Sequence, residues 1–265
     1  MDSTLKICLF FWRSIELLPT GRRKIRNMLG NIIVISGFFK KNQEKELHTH
    51  RKKVPLKVLV ACEFSATVRD AFSRFGHDAT SCDLLATEKK GKHYHGDVRD
   101  ILYDGWDLMI AHPPCTYLCN SGVSWLNRQP ERWKKLDDAA EFFNVLLDAP
   151  IPHIAVENPV PHKYALERIG NRNYTQAIQP YEYGHPTTKR TCLWLKNLPK
   201  LKPSRNKNSS VYRKMKNMSV YERQKLQYLP QSPTRWRMRS KTFEGVANAM
   251  ASQWTRYLRL HRIER

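Results

Sequence analysis

Cys115 and Glu157 are the two residues of this sequence whose types and surroundings best suit chemistry. Cys115 follows an apolar run, "DLMIA" (107–111), and a His-Pro-Pro sequence that leaves its loop few conformations. Glu157 falls in the next apolar run, "HIAVEN" (153–158), where a purely solvated carboxylate would be unusual. A thiolate is a strong nucleophile, and a neighbouring carboxyl group can stabilise the charge that its attack creates. The pair therefore indicates covalent catalysis, whereas a cysteine alone in such a run would more often be a packed core residue.

Strands alternate with helices around these two residues. Short apolar segments predict strands at 57–61, 78–84, 92–98, 107–111 and 153–158, with a closing pair at 177–184 and 191–196. Apolar residues at helical spacing predict helices at 65–76, 130–150 and 241–260, the second with Trp133, Leu136, Ala140, Phe143 and Leu147 on one face. This order predicts an α/β fold, a mostly parallel sheet with helices on both faces. Ligands of such sheets bind beyond the carboxyl ends of the strands, which is where Cys115 and Glu157 both fall.

Acidic residues end two further predicted strands. Asp83 stands where a carboxylate can bind both hydroxyls of a ribose, or else form a turn. Asp97 is placed either to accept a hydrogen bond from the amine of an adenine or to cap the helical turn that follows it. The turn after the first strand (62–65) lacks the Gly-x-Gly-x-x-Gly fingerprint of pyrophosphate binding. The pattern therefore favours an adenosine ligand without phosphates, of which S-adenosylmethionine is the commonest.

Positive charge is concentrated at the two ends of the chain. The formal net charge of +22 divides into +8 over residues 1–53, −1 over 54–195 and +15 over 196–265. Basic flanks suit a polyanion such as nucleic acid, although a solvated surface is the plain alternative. The six cysteines form no CxxC pair, which predicts a reduced, cytoplasmic protein without a metal site. The apolar stretches near the N-terminus are far shorter than the roughly 20 residues of a membrane span, so we expect no membrane partner.

Four segments follow from composition and pattern. They are a basic N-terminal extension (1–54), a catalytic core (55–199), a small basic insert that is a candidate DNA-contacting region (200–240), and a C-terminal helix that packs back on the core (241–265). The extension is an accessory arm, a disordered tail or the product of an upstream start codon. We expect the protein to be a monomer.

Several short motifs, in this order, resemble the signatures of the cytosine-C5 DNA methyltransferases. "HPPC" and "VENP" resemble the family's Pro-Cys and Glu-Asn motifs, and "YEYGHPTTKRTCLWL" resembles its Tyr-Gly-x-Pro-Gln-x-Arg-x-Arg segment. "ACEFSATVRDAF", "CDLL" and "GDVRDI" stand where the family binds its cofactor, and "FEGVANAMASQW" stands where it has its final helix. The resemblance covers roughly residues 55–257, and it extends to short phage-encoded proteins usually called cytosine methyltransferases.

The resemblance implies a Rossmann-like class I methyltransferase fold. It also implies transfer of a methyl group from S-adenosylmethionine to C5 of a cytosine flipped out of DNA, through a covalent cysteine adduct. The catalytic residues that it implies are Cys115, Glu157 and Arg190. The implied cofactor-binding residues are Cys62, Glu63, Phe64, Ser65, Asp83, Leu84, Asp97, Val98, Pro113 and Asn248. The implied substrate-binding residues are Pro114, Tyr117, Asn120, Asn158 and Lys189.

Three departures from the family pattern keep alternatives open. Ala66 stands where the cofactor loop would have glycine, only Lys189 and Arg190 can replace the two arginines, and only about 45 residues stand where the family has a target-recognition domain. One alternative is an amino-methyltransferase acting on adenine N6 or cytosine N4, whose Asp/Asn-Pro-Pro-Tyr motif has an aromatic ring at the position of Cys115. Another is a catalytically inactive nucleic-acid-binding protein on the same fold, and a third keeps the chemistry on RNA or a free nucleotide.

Overall fold

A single seven-stranded sheet organises the computed structural model, which describes residues 54–261. The predictions for residues 1–53 and for 262–265 lie outside the described residues. The strands are β1 (Lys57–Ala61), β2 (Asp78–Asp83), β3 (His93–His95), β4 (Leu108–Ala111), β5 (His153–Pro159), β6 (Gln176–Ile178) and β7 (Thr191–Lys196). The helices are α1 (Thr67–Arg74), α2 (Glu131–Leu147), α3 (Lys163–Arg168), α4 (Ser210–Asn217), α5 (Val220–Arg223), α6 (Arg235–Ser240) and α7 (Glu244–His261). Short 3-10 turns span Val98–Asp100, Asn120–Trp125 and Pro180–Tyr183.

The strand order is β3-β2-β1-β4-β5-β7-β6, with β7 antiparallel to both of its neighbours and the other pairs parallel. This is the topology of the Rossmann-like class I methyltransferase fold, so the predicted fold class is confirmed. Because the parallel strands run in the same direction, their carboxyl ends meet at one edge of the sheet.

Helices cover both faces of the sheet and explain why β1 and β4 are continuously apolar. Alternate strand residues such as Leu59 and Met109 belong to the core that includes Phe143 of α2. Their neighbours Val60 and Ile110 belong to a second core, which includes residues of α1 and α7. Both faces of such a strand contact an apolar core, so its buried residues are apolar and its sequence does not alternate with polar residues.

Three predicted elements differ in the structure. The strand predicted at 177–184 ends at Ile178, because Pro180 lacks the N–H that a ladder needs and begins a 3-10 turn instead. On α2 the buried residue of the last turn is Leu146, while Leu147 is only partly buried. The segment 200–240, predicted as a loop or small insert, forms the three short helices α4, α5 and α6.

Helix α7 is fixed against the segment that connects β6 to β7. A Cβ atom on Gly245 would lie 1.8 Å from the carbonyl oxygen of Tyr183, so only glycine fits there. The Gly245 N–H also donates to Nε2 of His185 at 2.9 Å. Within residues 54–261, no helix combines the length and the apolar character needed to cross a bilayer.

Candidate active site

The loop after β4 and the end of β5 bring the candidate catalytic groups to the carboxyl edge of the sheet. Ala111 of β4 pairs with Val156 of β5, which sets the next residues, His112 and Glu157, side by side. Cys115 follows three residues later and is partly buried. The negative charge of Glu157 raises the pKa of the Cys115 thiol, although a hydrogen bond with another cysteine and burial raise it more. The thiol and the carboxylate therefore share one local environment.

Glu157 is held by charged and polar partners rather than by water. Its Oε2 lies 3.0 Å from Nδ1 of His112, and the two side chains are only 17% and 9% exposed. Burial raises the pKa of Glu157, but the hydrogen bond from His112, the charge of Lys189 and a hydrogen bond with Thr191 together leave it below its ordinary value. Glu157 is therefore a partly buried, ionised acceptor.

A second sulfur, which the sequence analysis assigned to no role, lies beside Cys115. The Cys119 N–H donates to the carbonyl of Cys115 at 3.1 Å, so the two residues sit one turn apart. The Cys119 sulfur also lies 3.0 Å from Oγ of Ser121. The hydrogen bond between the two thiols raises the pKa of Cys115 and, with help from Ser121, lowers the pKa of Cys119. The four-residue spacing between Cys115 and Cys119 was the sequence signal that could have predicted their contact, because one helical turn brings such residues together.

The loop between β1 and α1 holds its shape through a buried carboxylate. Glu63 is 4% exposed, and it accepts hydrogen bonds from the backbone N–H groups of Val68 at 2.7 Å and Arg69 at 3.1 Å. It thereby satisfies the first free donors of α1. Cys62 and Ser65 flank this carboxylate, and the Ser65 hydroxyl donates to it at 3.3 Å. The structure thus engages Glu63 within the loop itself.

Backbone strain marks the same loop. Cys62 and Ala66 both have left-handed backbone conformations, with φ of 58° and 61°. Residues other than glycine adopt this region at a cost of about 1–2 kcal/mol, and such residues cluster at functional sites. Ala66 therefore adopts the conformation that glycine would favour at the position where the family pattern has glycine.

Replacing Ala66 with glycine is expected to raise the free energy of unfolding by about 0.5–1 kcal/mol, because the left-handed strain disappears and only part of the gain is lost to chain entropy. Urea denaturation of the wild type and the variant measures the change. The matched control is Ala71→Gly in the interior of α1, which should lower the free energy of unfolding by about 1 kcal/mol or more. A loss of stability in both variants would contradict the expectation.

The ends of β1, β2 and β3 lie close together. Burial raises the pKa of the Cys62 thiol, and the charges of Asp83 and Asp97 raise it further. Burial raises the pKa of Asp83, whose carboxylate accepts from the Leu85 N–H at 3.0 Å. Leu84 beside it is 72% exposed and open to a ligand.

Of the two roles that the sequence left open for Asp97, the structure forms the cap of the following turn. Its carboxylate caps the turn Val98–Asp100 by accepting from the Arg99 N–H at 2.9 Å, and it also pairs with the Arg99 guanidinium. These hydrogen bonds lower the pKa of Asp97. Val98 is buried. The cap is formed in the structure, and an adenine would have to share the carboxylate with Arg99.

Arg69 ties this region together, and the sequence analysis did not single it out. Its side chain is 1% exposed, and its guanidinium donates to the carbonyls of Lys90 at 2.8 Å and Lys89 at 3.3 Å. A contact to Ser81 of β2 adds to these at 3.3 Å. A charged residue on the apolar face of a predicted helix was the available signal. Arg69 thereby fixes the loop that follows Asp83 onto α1.

Phe64 is covered by the insert. Its ring lies 5.7 Å from that of Trp236, edge to face, and the guanidinium of Arg237 lies 5.7 Å from it. Lys241, which directly follows α6 in sequence, forms an ion pair with Glu88. Helix α6 therefore reaches the loop in which the candidate cofactor-binding residues lie.

The remaining predicted site residues divide into buried and outward-facing groups. Arg190 is exposed and donates to the Tyr174 hydroxyl at 3.2 Å, so Lys189 is the cation that acts on Cys115 and Glu157.

Tyr117 lies under the Arg132 guanidinium at 4.8 Å. Asn248 is exposed and accepts from Arg74, and Asn120 and Pro114 are exposed too. Pro113 and Asn158 are buried, and both polar atoms of the Asn158 side chain lack a partner among the described residues.

The start of α7 and the segment before β7 line a cleft beside Glu157. A narrow cleft there is lined by Glu157, Ile178, Pro180, Lys189, Thr191, Thr242, Phe243, Val246 and Met250. The polar residues of this lining are Glu157, Lys189, Thr191 and Thr242. No three His, Cys, Asp or Glu side chains within residues 54–261 are arranged to hold a metal ion.

Comparison with known proteins gives likeness of fold only. No family model matches the chain, and no curated protein sequence matches it. A protein provisionally assigned as a DNA modification methyltransferase encoded within an E. coli prophage is 14% identical, with a TM-score of 0.35 over 53% of this chain. The Entamoeba histolytica methyltransferase EhMeth is 16% identical, with a TM-score of 0.38 over 58% of this chain. Magnesium protoporphyrin IX methyltransferase of Synechocystis with bound SAM is 11% identical, with a TM-score of 0.30 over 74% of this chain and 98% of its own.

The chain spans only 46% and 58% of the lengths of the first two of these proteins. Identities and TM-scores this low say nothing about substrate or mechanism. The chemistry of this protein has to be argued from its own site.

Proposed function

We propose that this protein transfers a methyl group from S-adenosylmethionine to C5 of cytosine in DNA, with Cys115 as the covalent nucleophile. The observation that carries the proposal is the partly buried, ionised Glu157, which His112 contacts and whose charge acts on Cys115 at the carboxyl ends of β4 and β5. A carboxylate and a thiol at that edge can act together on one bound ring.

The residues at the ends of β1, β2 and β3 suit an adenosine group. Asp83 offers a carboxylate for ribose hydroxyls, and the exposed apolar side chain of Leu84 follows it in sequence. The left-handed Cys62 and Ala66 shape the intervening loop. When bound there, S-adenosylmethionine supplies the electrophilic methyl group.

The protein residues supply the activation of the base. Cytosine C5 is a poor nucleophile, so the Cys115 thiol first loses its proton to a solvent base, and its sulfur then forms a bond to C6 as the C5–C6 double bond breaks. N3 takes up a proton from solvent as the bond forms, and the ionised Glu157 carboxylate stabilises the adduct by accepting hydrogen bonds from that N3–H and from the exocyclic amine. After C5 has been methylated, loss of the C5 proton to a solvent base breaks the C6–sulfur bond and releases Cys115. A base inside a duplex cannot reach such a site, so it must be flipped out at a cost of a few kcal/mol.

Mass spectrometry of DNA digested to nucleosides after incubation with the protein and S-adenosylmethionine tests the proposal. We expect 5-methylcytosine. N4-methylcytosine or N6-methyladenine would identify an amino-methyltransferase, and binding of DNA without methylation would identify an inactive protein on the same fold.

The insert is the part of the chain that best suits the DNA backbone. Residues 200–240 contain twelve Lys or Arg against one Glu, and Arg235, Arg237 and Arg239 follow one another on α6. The Lys189 ammonium donates to the Arg239 carbonyl at 2.8 Å, so α6 directly adjoins the candidate active site. We propose that DNA phosphates contact this insert while the flipped base reaches Cys115.

Neutralising Lys214 and Lys216 of α4 is expected to weaken DNA binding at low salt, because a protein that neutralises fewer phosphates releases fewer counterions on binding. In the double variant Lys214→Gln/Lys216→Gln the slope of log Kd against log salt should fall by about 1 for each phosphate that is no longer neutralised. Fluorescence anisotropy with labelled duplex DNA at several salt concentrations measures it. Arg256→Gln on α7 removes a charge outside the insert and should leave the slope unchanged, whereas an unchanged slope in the double variant would exclude α4 from the interface.

A further inference from the structure

His112 carries hydrogen-bonding capacity that the protein itself does not use. Its backbone N–H donates to the Ala61 carbonyl at 3.0 Å, which fixes the residue between β1 and β5 at the edge of the sheet. Its Nδ1 is engaged with Oε2 of Glu157 at 3.0 Å. Its Nε2 is buried and has no hydrogen-bond partner among residues 54–261.

A buried polar atom without a partner costs about 1–3 kcal/mol, so one at the edge of a candidate site points to a ligand atom. The His112 side chain is only 9% exposed, which leaves little room for bulk water at the same position. The prolines that follow it stiffen the backbone that carries it. The ring is thus presented in one orientation.

The charges around the ring indicate which kind of atom Nε2 would meet. The groups that face the pair are the Glu157 carboxylate of β5, the Lys189 cation before β7 and the Cys115 thiol after β4. Lys189 already balances Glu157, so a neutral imidazole keeps this buried group uncharged overall. A neutral ring must carry its proton on Nδ1, because two acceptors cannot face each other at 3.0 Å. Nε2 is then an acceptor and requires a donor.

We propose that His112 is a specificity-determining residue, whose Nε2 accepts a hydrogen bond from the exocyclic amine of the target cytosine while Nδ1 orients Glu157. The inference rests on the proposed function. The amine of cytosine has two hydrogens, and Glu157 and His112 then receive one each. A pyrimidine without that amine leaves Nε2 of His112 unpaired and removes one hydrogen bond from Glu157, and it is rejected for that reason.

Covalent trapping on matched DNA duplexes tests this role. The full-length protein is incubated with S-adenosylmethionine and one of two duplexes. The single target is either 5-fluorocytosine or 5-fluoro-2-pyrimidinone, which is the same fluorinated ring without the amine and is called 2-pyrimidinone below. Adduct formation is timed on denaturing gels. His112→Leu should slow trapping of 5-fluorocytosine about 10- to 100-fold and leave trapping of 2-pyrimidinone within about 3-fold of wild type, so that discrimination shrinks.

The conservative variant His112→Gln keeps an amide that can donate to Glu157 and accept from the amine, and it should restore most of the discrimination. It also serves if His112→Leu fails to fold, as judged by circular dichroism. Equal slowing on both duplexes, or no slowing on either, would overturn the role of His112 alone. A wild-type protein that traps neither duplex would overturn the proposed function and this inference with it.

Discussion

The Cys115→Ala variant is expected to methylate cytosine at less than about one-thousandth of the wild-type rate, since removal of a covalent nucleophile typically costs this much or more. It should also fail to form a denaturation-resistant adduct with DNA that contains 5-fluorocytosine. In the wild type that adduct accumulates because fluorine at C5 cannot leave as a proton does. Tritium transfer from labelled S-adenosylmethionine measures the first effect, and denaturing gels measure the second.

Cys119 provides the matched control, because it is a second thiol in the same loop and lies beside the first. Cys119→Ala should retain trapping within about 10-fold of wild type, as expected for a residue outside the covalent step. Its hydrogen bond is the largest cause that raises the pKa of Cys115, so its removal should lower that pKa. A lower pKa gives more thiolate at any given pH, and the rise of trapping with pH should therefore begin at lower pH in this variant. The reverse pattern, with trapping lost in Cys119→Ala and kept in Cys115→Ala, would make Cys119 the nucleophile.

Most of the fold follows from patterns that the sequence displays openly. The runs that form β1, β4 and β5 are continuously apolar because helices bury them on both sides, and a parallel sheet brings their ends to one edge. Those two facts suffice to predict that Cys115 and Glu157, far apart in sequence, share one environment. The helices of the insert could not be predicted in the same way, because they span only four to eight residues and display no long amphipathic repeat.

The direction in which each side chain points was harder to predict from the sequence than the position of the site. In extended backbone, neighbouring side chains point to opposite faces, so of three consecutive residues before and in β7 only Lys189 and Thr191 face Glu157. Arg190 faces the other way, toward Tyr174. Residue type alone favoured the arginine, whereas the alternation of a strand favours the residues on either side of it.

The hydrogen bonds that loop carboxylates form within their own loop could not be predicted from the sequence either. Glu63 and Asp97 both looked available to a cofactor, but the first caps α1 and the second caps its own turn while pairing with Arg99. A carboxylate near a helix start has such a local alternative, because the first N–H groups of every helix lack intrahelical partners. Which of the two uses prevails depends on a few ångströms of loop geometry.

Replacing Glu157 with glutamine is expected to slow methyl transfer about 10²- to 10³-fold, within the range that removal of an acid–base group causes. Glutamine has nearly the same shape, and its carbonyl can still accept from Nδ1 of His112, so the fold should be retained. The amide lacks the negative charge that faces Lys189 and that stabilises a proton on N3 of the base, so the loss should fall on kcat more than on KM. Steady-state kinetics on a duplex of defined sequence separate the two constants.

Glu167→Gln on the exposed face of α3 is the matched control and should leave both constants unchanged. The hydrogen bond from His112 and the charge of Lys189 hold the pKa of Glu157 below its ordinary value, so the carboxylate stays ionised as the pH falls toward 5. Wild type and Glu157→Gln should therefore differ by the same factor at every pH from about 5.5 to 8, where ordinary carboxyl groups are already ionised as well. If their ratio instead changed across this window, Glu157 would be titrating within it, and the carboxylate would not be the fixed negative partner of His112 and Lys189 that the site geometry indicates.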